Sequence, residues 1–426
     1  MQEITLEQAL IELDNFQELA LDTETTGDFD NLYSRSVIML QLGDHKSQII
    51  VDCRKTSPLP LLKKLLDNNT LVYAHNVKFD YTVIKIDYGL ELENVFDTML
   101  VSQLVDYELD KEKGSFSLES CVRRHVDPSA YSNQLNLFSP AYTKDLRKTF
   151  SSIKDEDDFT PSQLYYGGAD VAFTYALGKR LKIIAEEQGV VGGVEQENQF
   201  VKVLADMEIN GVFTDRDLFL EASKEAYKRA DELGEDLKRH YDINWDSPKQ
   251  VAKVLKELGV DVLIIDKKSG EIKESVGKIV IEKQAARFPI LKEYIEYKLA
   301  DKKRKAYGEK FLRHVNPVDG RIHTSFLQLM STGRTSSSGP NMQNIPRDAA
   351  YRKAFRPEEG NVFVAADFSS QEMRVLADFS GDKNMIKAVS AGDVHLETAR
   401  IMYDNPHLTK ESEERQYAKS TNFLIA

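Results

Sequence analysis

Asp22 and Glu24 stand two residues apart, where the apolar run LALDTE turns acidic. On a strand, alternation sets both carboxylates on one face. A third acid, Asp80, follows the apolar stretch TLVYAHN in the segment HNVKFD. A fourth, Asp170, lies four residues after Tyr166 in YYGGAD, and on a helix these two share a face. Four acids converging on one site repel one another unless cations sit between them. Hard divalent ions with oxygen ligands, Mg²⁺ or Mn²⁺, answer that need. Two such ions about 4 Å apart can generate hydroxide and stabilise the leaving oxygen of a phosphodiester. A tyrosine hydroxyl beside them can orient the attacking water.

A second set of candidates lies nearer the C-terminus. FVAADFSSQEMRVLA places Asp367 at the end of an expected strand, just before an expected helix, where a side chain points into a cleft. Arg415, Lys419 and Phe423 follow at steps of four, with Asn422 adjacent, so they share one face of a final helix. Two cations suit phosphates, and an aromatic ring can pack on a base and sugar. The same spacing also suits ordinary surface pairing with Glu411, Glu413 and Glu414.

The elements that must hold these residues follow from patterning. Residues 19–24, 37–42, 49–52 and 70–76 read as short strands, and LPLLKKLLD (59–67) has helical apolar spacing. Such alternation predicts an α/β domain with a mixed sheet. Polar clusters at 128–140 and 151–161 read as loops. From about residue 195 the periods become helical, over 216–240, 246–259 and 277–313. Pro248 starts the second of these. STGRTSSSGPNMQNIP (331–346) reads as a long irregular loop, NVFVAADF (361–368) as a strand, and 370–380 as a helix.

With 426 residues the chain has room for about three domains, each long enough for its own core. Hydrophobic residues are 41% and charged residues 29%, an ordinary globular mixture. Nothing approaches the ~18 apolar residues of a membrane span, and the N-terminus lacks a signal peptide's pattern. Two cysteines, Cys53 and Cys121, exclude a disulfide framework and imply a reducing, cytoplasmic setting. The net charge of −13 argues at first against a nucleic-acid partner. It is unevenly spread: residues 1–190 hold 31 acids against 19 bases, a net of −12, and the remainder is close to neutral. The densest basic stripe there is Lys302, Lys303, Arg304 and Lys305, then Lys310 and Arg313.

DTET at 22–25, Asn76, Phe79-Asp80 and Tyr166-x-x-x-Asp170 together resemble the DEDDy 3′–5′ exonuclease family, over about residues 1–185. Asp97-Thr98-Met99 adds to the likeness. The resemblance implies an α/β ribonuclease H-like domain using two Mg²⁺ (or Mn²⁺) ions. Asp22, Glu24, Asp80 and Asp170 would be the ligands, Tyr166 the water-orienting residue and Asn76 a substrate contact. Asp97 is read as structural rather than as a ligand.

Further on, VLADMEINGVFTD (203–215), DINWDSPKQVAKVLKELGV (242–260), DGRIHTSF, the 331–347 segment and the Asp367 motif resemble family A DNA polymerases. On that likeness Asp367 and the Phe368 carbonyl would bind metal, and Glu372 would exclude a ribose 2′-hydroxyl. Arg334, Asn341, Gln343, Asn344 and Arg347 would contact primer-template DNA. His395, Arg415, Lys419 and Phe423 would line the nucleotide site. Phe368, Ser370 and Gln371 depart from the more usual Tyr, Gln and Ile. The implied architecture is an exonuclease domain at 1–190, then the start of the polymerase domain with a mainly helical thumb at 191–348. An incomplete α+β palm at 349–405 and the start of the fingers at 406–426 follow. Implied partners are primer-template DNA, single-stranded 3′ ends and dNTPs, with no membrane. The family's second palm aspartate, in a His-Asp sequence, is absent from these 426 residues. The expectation is therefore an intact exonuclease and a polymerase half that needs a C-terminal segment or subunit. The alternative is a DNA-binding or assembly subunit of a split polymerase without catalysis of its own.

Overall fold

Short apolar runs build one sheet near the N-terminus. Its strands are β1 (Glu18–Thr26), β2 (Ser36–Gly43), β3 (Gln48–Asp52), β4 (Leu71–Ala74) and β5 (Val95–Asp97), in the order β3-β2-β1-β4-β5. The computed structural model describes residues 3–27, 32–107, 116–129, 146, 148–265, 270–330, 332–390 and 392–425. β1, β4 and β5 are parallel, and β2 and β3 extend the sheet antiparallel on the other side of β1. Around the sheet run α1 (Leu6–Leu13), α2 (Leu59–Asp67), α3 (Val77–Tyr88), α4 (Thr98–Val105), α5 (Leu118–His125), α6 (Pro161–Glu187) and α7 (Val191–Asn210).

Period-2 alternation gives the sheet two cores. Leu19, Leu21, Leu40 and Leu42 pack with α1, α2, Tyr81 and Ile84 of α3, and Val201 and Ala205 of α7. Ala20, Tyr73 and Phe96 face the other way, onto Val101 of α4, Val122 of α5, and Val171, Leu177 and Leu181 of α6. α6 starts on a capping box: Thr160 accepts from Gln163 N, the Gln163 side chain reciprocates, and Pro161 opens the helix. It lies close on the sheet at Gly178, where a Cβ would fall 2.2 Å from the Tyr73 ring.

The next stretch is mainly helical. Asp215 caps α8 (Arg216–His240), accepting from Asp217 N and Leu218 N. α8, α9 (Pro248–Glu257), α10 (Lys278–Glu282) and α11 (Pro289–Ala306) surround a core of Leu237, Trp245, Leu255, Leu291 and Tyr294. Six further small strands pair before residue 340. β6 (Val212–Phe213) pairs with β9 (Arg321–Ile322), β7 (Leu263–Ile265) with β8 (Ile272–Glu274), and β10 (Ser325–Leu327) with β11 (Ser336–Ser338). α12 (Ala349–Ala354) closes this part. The chain forms two units, Met1–Arg356 and Pro357–Ala426. The second contains α13 (Gln371–Ser380), α14 (Lys383–Ser390), α15 (Val394–Met402) and α16 (Glu413–Ile425).

Three expectations change. Residues 361–368 form no strand, and Val362, Phe363 and Val364 are 81%, 60% and 90% exposed. Apolar content cannot hold a strand without a ladder to join, and the described residues of the second unit contain no other strand. Over 349–405 the described residues thus form helices joined by irregular segments, without the strand expected of an α+β palm. The helical stretch expected over 277–313 is divided, with a break at 283–288 where Pro289 begins a new helix. The loop at 331–346 contains β11 and a short 3₁₀ turn, Met342–Asn344. Most of the loop expected at 128–140 lies outside the described residues. Among the described residues no helix is long and apolar enough to cross a membrane.

Candidate active site

β1 pairs with β4 only from Glu18 to Ala20, whereas its pairing with β2 continues through Asp22, opposite Gln41, and Glu24, opposite Met39. Asp22 and Glu24 therefore project past the carboxyl end of the parallel pair, the end where open α/β sheets bind ligands. Thr23 and Thr25 are buried on the reverse face, and both acids are half-buried. The alternation read from the sequence holds.

Helix α6 reaches the same face. Directly opposed residues of an antiparallel pair share a face, so Gln41 and Met39 lie beside Asp22 and Glu24. Gly167 rests on these two side chains, and a Cβ there would fall 2.8 Å from Gln41 Nε2 and 3.2 Å from Met39 Sδ. Tyr166 precedes this contact, buried at 3% exposure against Ile38, Met39 and Phe150. Asp170 follows one turn later at 7% exposure. The register thus brings Asp22, Glu24, Tyr166 and Asp170 to one end of one sheet face.

Asp80 arrives from the opposite face. It lies in the first turn of α3 and is buried, and its Oδ1 accepts from Thr23 Oγ1 at 2.7 Å. Burial pushes its carboxyl well above the usual range; the Thr23 hydrogen bond opposes this, and nearby Asp97 adds to it. Among the described residues no three of His, Cys, Asp and Glu form a ready-made metal cluster.

Asp97 fits the structural role read for it. Its carboxylate accepts from Asn76 N (3.1 Å), Val77 N (2.9 Å), Met99 N (2.8 Å) and Leu100 N (3.1 Å), capping α3 and α4 together. Burial still raises it to about 6. Asn76 takes a left-handed backbone, φ 68°, at the start of α3. With Phe79 it lines a 750 Å³ cleft whose walls include Arg35, Lys78, Arg313 and His314. This cleft therefore lies beside the carboxylates' supporting helix, and Asp22 is not among its lining residues. Arg35, Lys78 and Gln41 escaped the sequence reading. Gln41 carried a signal, as a lone amide inside the apolar run VIMLQLG.

The residues expected to touch primer-template DNA gather around one turn. Asn341 caps the 3₁₀ turn, accepting from Gln343 N at 3.1 Å, and Gln343 Nε2 donates to Thr335 Oγ1 at 3.0 Å. The Asn344 carbonyl accepts from Tyr307 OH. Arg334, Gln343, Asn344 and Arg347 are exposed, whereas Asn341 is half-buried in its capping role.

In the second unit, His395 of α15 is buried with Asn422 Nδ2 at 2.9 Å from its Nδ1. Arg415 Nε donates to Asp393 Oδ2 at 2.9 Å. Arg415 thus pairs with the capping residue of α15, and Lys419 is exposed one turn on. Asp367, Phe368 and Glu372 are exposed. Asp367 does not end a strand aimed into a cleft, because that strand does not form. The side chain of Phe423 lies outside the described residues.

Comparison with known proteins fits this layout. Residues 1–185 match the 3'-5' exonuclease family, and residues 216–426 match DNA polymerase family A. The chain belongs to DNA polymerase family A. Its relatives include DNA polymerase I of Aquifex aeolicus, 29% identical over 98% of this chain and 70% of that protein. DNA polymerase I of Borreliella burgdorferi is 27% identical over 99% of the chain and 46% of that protein. That of Chloroflexus aurantiacus is 31% identical over 83% of the chain and 37% of its own length. The chain thus spans less than half of two of these three family A relatives. A solved structure, the POL domain of Pol1 from M. smegmatis in complex with DNA primer-template and dNTP, shares the fold. Its TM-score is 0.78 at 23% identity, and the match covers 100% of this chain and 70% of that one. The shared architecture is that of family A, with exonuclease and polymerase parts, a mixed sheet and many helices.

Proposed function

We propose that the N-terminal part removes nucleotides from DNA 3′ ends and that the rest belongs to the DNA-synthesising half of the same enzyme. What supports this reading most is that the β1–β2 register and the close approach of Gly167 set the strand carrying Asp22 and Glu24 and the helix carrying Tyr166 and Asp170 against one sheet face. The sheet order, with two antiparallel strands added to three parallel ones, supports a ribonuclease H-like reading of residues 1–190. Residues 191–348 then supply the start of the polymerase domain and the thumb, 349–405 part of the palm, and 406–426 the start of the fingers.

The donor set suits a hard divalent ion. Asp22, Glu24 and Asp170 offer only carboxylate oxygens, and Asp80 is a buried acid whose charged form needs a cation nearby. Bound Mg²⁺ or Mn²⁺ supplies a deprotonated water and charge neutralisation at the phosphodiester. The chain's own residues do the rest. Tyr166, packed against Phe150 and Met39, would orient the attacking water with its hydroxyl. Asn76 and Phe79 open onto the cleft and suit the terminal nucleotides of a frayed strand, since an aromatic ring accepts any base. For DNA synthesis the proposal includes a further segment that places a second acid beside Asp367, because holding two ions takes more than one carboxylate. Glu372, His395, Arg415, Lys419 and Phe423 would serve the dNTP, and the turn around Arg334 the primer-template duplex. Matches to both catalytic families favour an enzyme over an assembly module.

The test is nucleotide release from a single-stranded oligonucleotide in Mg²⁺. Changing Asp22 and Glu24 together to Ala should lower the rate by at least about 10³-fold with the thermal transition retained. A rate within about threefold of the parent would remove the site assignment.

A further inference from the structure

Every residue of β2 from Val37 to Gly43 is buried, and Gln41 in its middle is 0% exposed. Among the described residues neither its Oε1 nor its Nε2 has a hydrogen-bond partner. An unpaired buried amide atom costs about 1–3 kcal/mol, so this residue weakens the strand it sits in.

Its location gives the reason. Gln41 lies opposite Asp22 on the same face, at the roughly 4.5–5.5 Å Cβ spacing of such pairs. Above it is α6, which can approach because residue 167 is glycine. A Cβ there would lie 2.8 Å from Gln41 Nε2 and 3.0 Å from its Cγ. Tyr166 is the adjacent residue and Asp170 is one turn on. The amide is enclosed between the strand that carries Asp22 and the helix that carries Tyr166 and Asp170.

We propose that Gln41 is a positioning residue of the exonuclease site. Its carboxamide, unpaired among the described residues, makes its hydrogen bonds in the working complex. Nε2–H donates to the Asp22 carboxylate and fixes that carboxylate's orientation toward a bound divalent ion. Outer partners of this kind are worth about 10- to 100-fold in metal affinity or activity. The inference rests on the exonuclease reading above.

Gln41→Met removes the amide and keeps the side chain's length. The expected result is an unchanged or higher melting temperature, with Mn²⁺ affinity lowered about 10- to 100-fold. In the nuclease assay kcat should fall by a similar factor, with KM for the oligonucleotide within about twofold. Gly167→Ala, which crowds the amide without removing it, should lower Mn²⁺ affinity in the same direction. It also serves as the deciding variant should Gln41→Met not fold. Mn²⁺ affinity and kcat within about twofold of the parent, in a folded variant, would overturn the proposal. If the Asp22 and Glu24 double change is also silent, the exonuclease reading falls. If that change abolishes activity while Gln41→Met is neutral, only the role of Gln41 falls.

Discussion

His395 is buried between α15 and α16. Burial, assisted by the nearby Arg415 and Lys419 and opposed by Asp393, holds its imidazole below the usual range. The folded protein therefore prefers neutral His395. Above about pH 6.5 the unfolded chain is also neutral there, and the stability from this site is fully present. As pH falls through 6.5 toward the lowered folded value, the unfolded chain gains a proton first and that stability is lost. Hydrogen exchange of peptides from α15 and α16 should quicken between pH 7 and 5, and His395→Gln should flatten the dependence. A flat profile in the parent protein would refute this. At this scale, legibility depended on sequence distance. Asp22 with Glu24, and Tyr166 with Asp170, could be read because each pair sits within one element of known period. The contact of His395 with Asn422, and that of Asp80 with Thr23, join residues 27 and 57 apart and depend on how helices dock. No local pattern encodes that.

Among the elements, α6 carries the most consequence for the site, because glycines set its distance from the sheet. At Gly178 a Cβ would fall 2.2 Å from Tyr73, a buried ring whose hydroxyl donates to Glu18 at 2.8 Å. Gly178→Ala should destabilise the protein by about 1–3 kcal/mol through overpacking, despite alanine's better helix propensity. It should also impair nucleotide release, since the same helix bears Tyr166 and Asp170. Chemical denaturation beside the nuclease assay checks both, and an alanine variant as stable as the parent would show that the helix can yield. Four of the five sheet strands and α2 were legible because their apolar periods are complete within each element, and the bounds 59–67 match the structure, whereas the three-residue β5 carries too short a pattern to read. The segment 361–368 was misread because its composition states what it could pair with and not whether a partner strand is present.

On the scale of the whole molecule, the charge pattern no longer opposes a nucleic-acid partner. Of the net −13, −12 falls within residues 1–190, the part that carries the four candidate metal-binding acids. The two parts of the first unit are also joined tightly. Helix α7 belongs by sequence to the second part, yet Val201 and Ala205 complete a core of the first. Its Asn198 Oδ1 accepts from Asp97 N at 2.8 Å, and Asp206 pairs with Lys85 at 2.6 Å. Glu208 accepts from both Lys78 of α3 and Phe326 N of β10. This has a bearing on protein engineering. An exonuclease reagent excised at residue 187, where α6 ends, would leave Leu19, Leu21 and Tyr81 without their cover from α7. Such a fragment should aggregate on expression, whereas one ending at residue 211 should melt cooperatively, and thermal scans of the two fragments would decide it. The useful place to cut this chain is one helix later than its sequence motifs suggest.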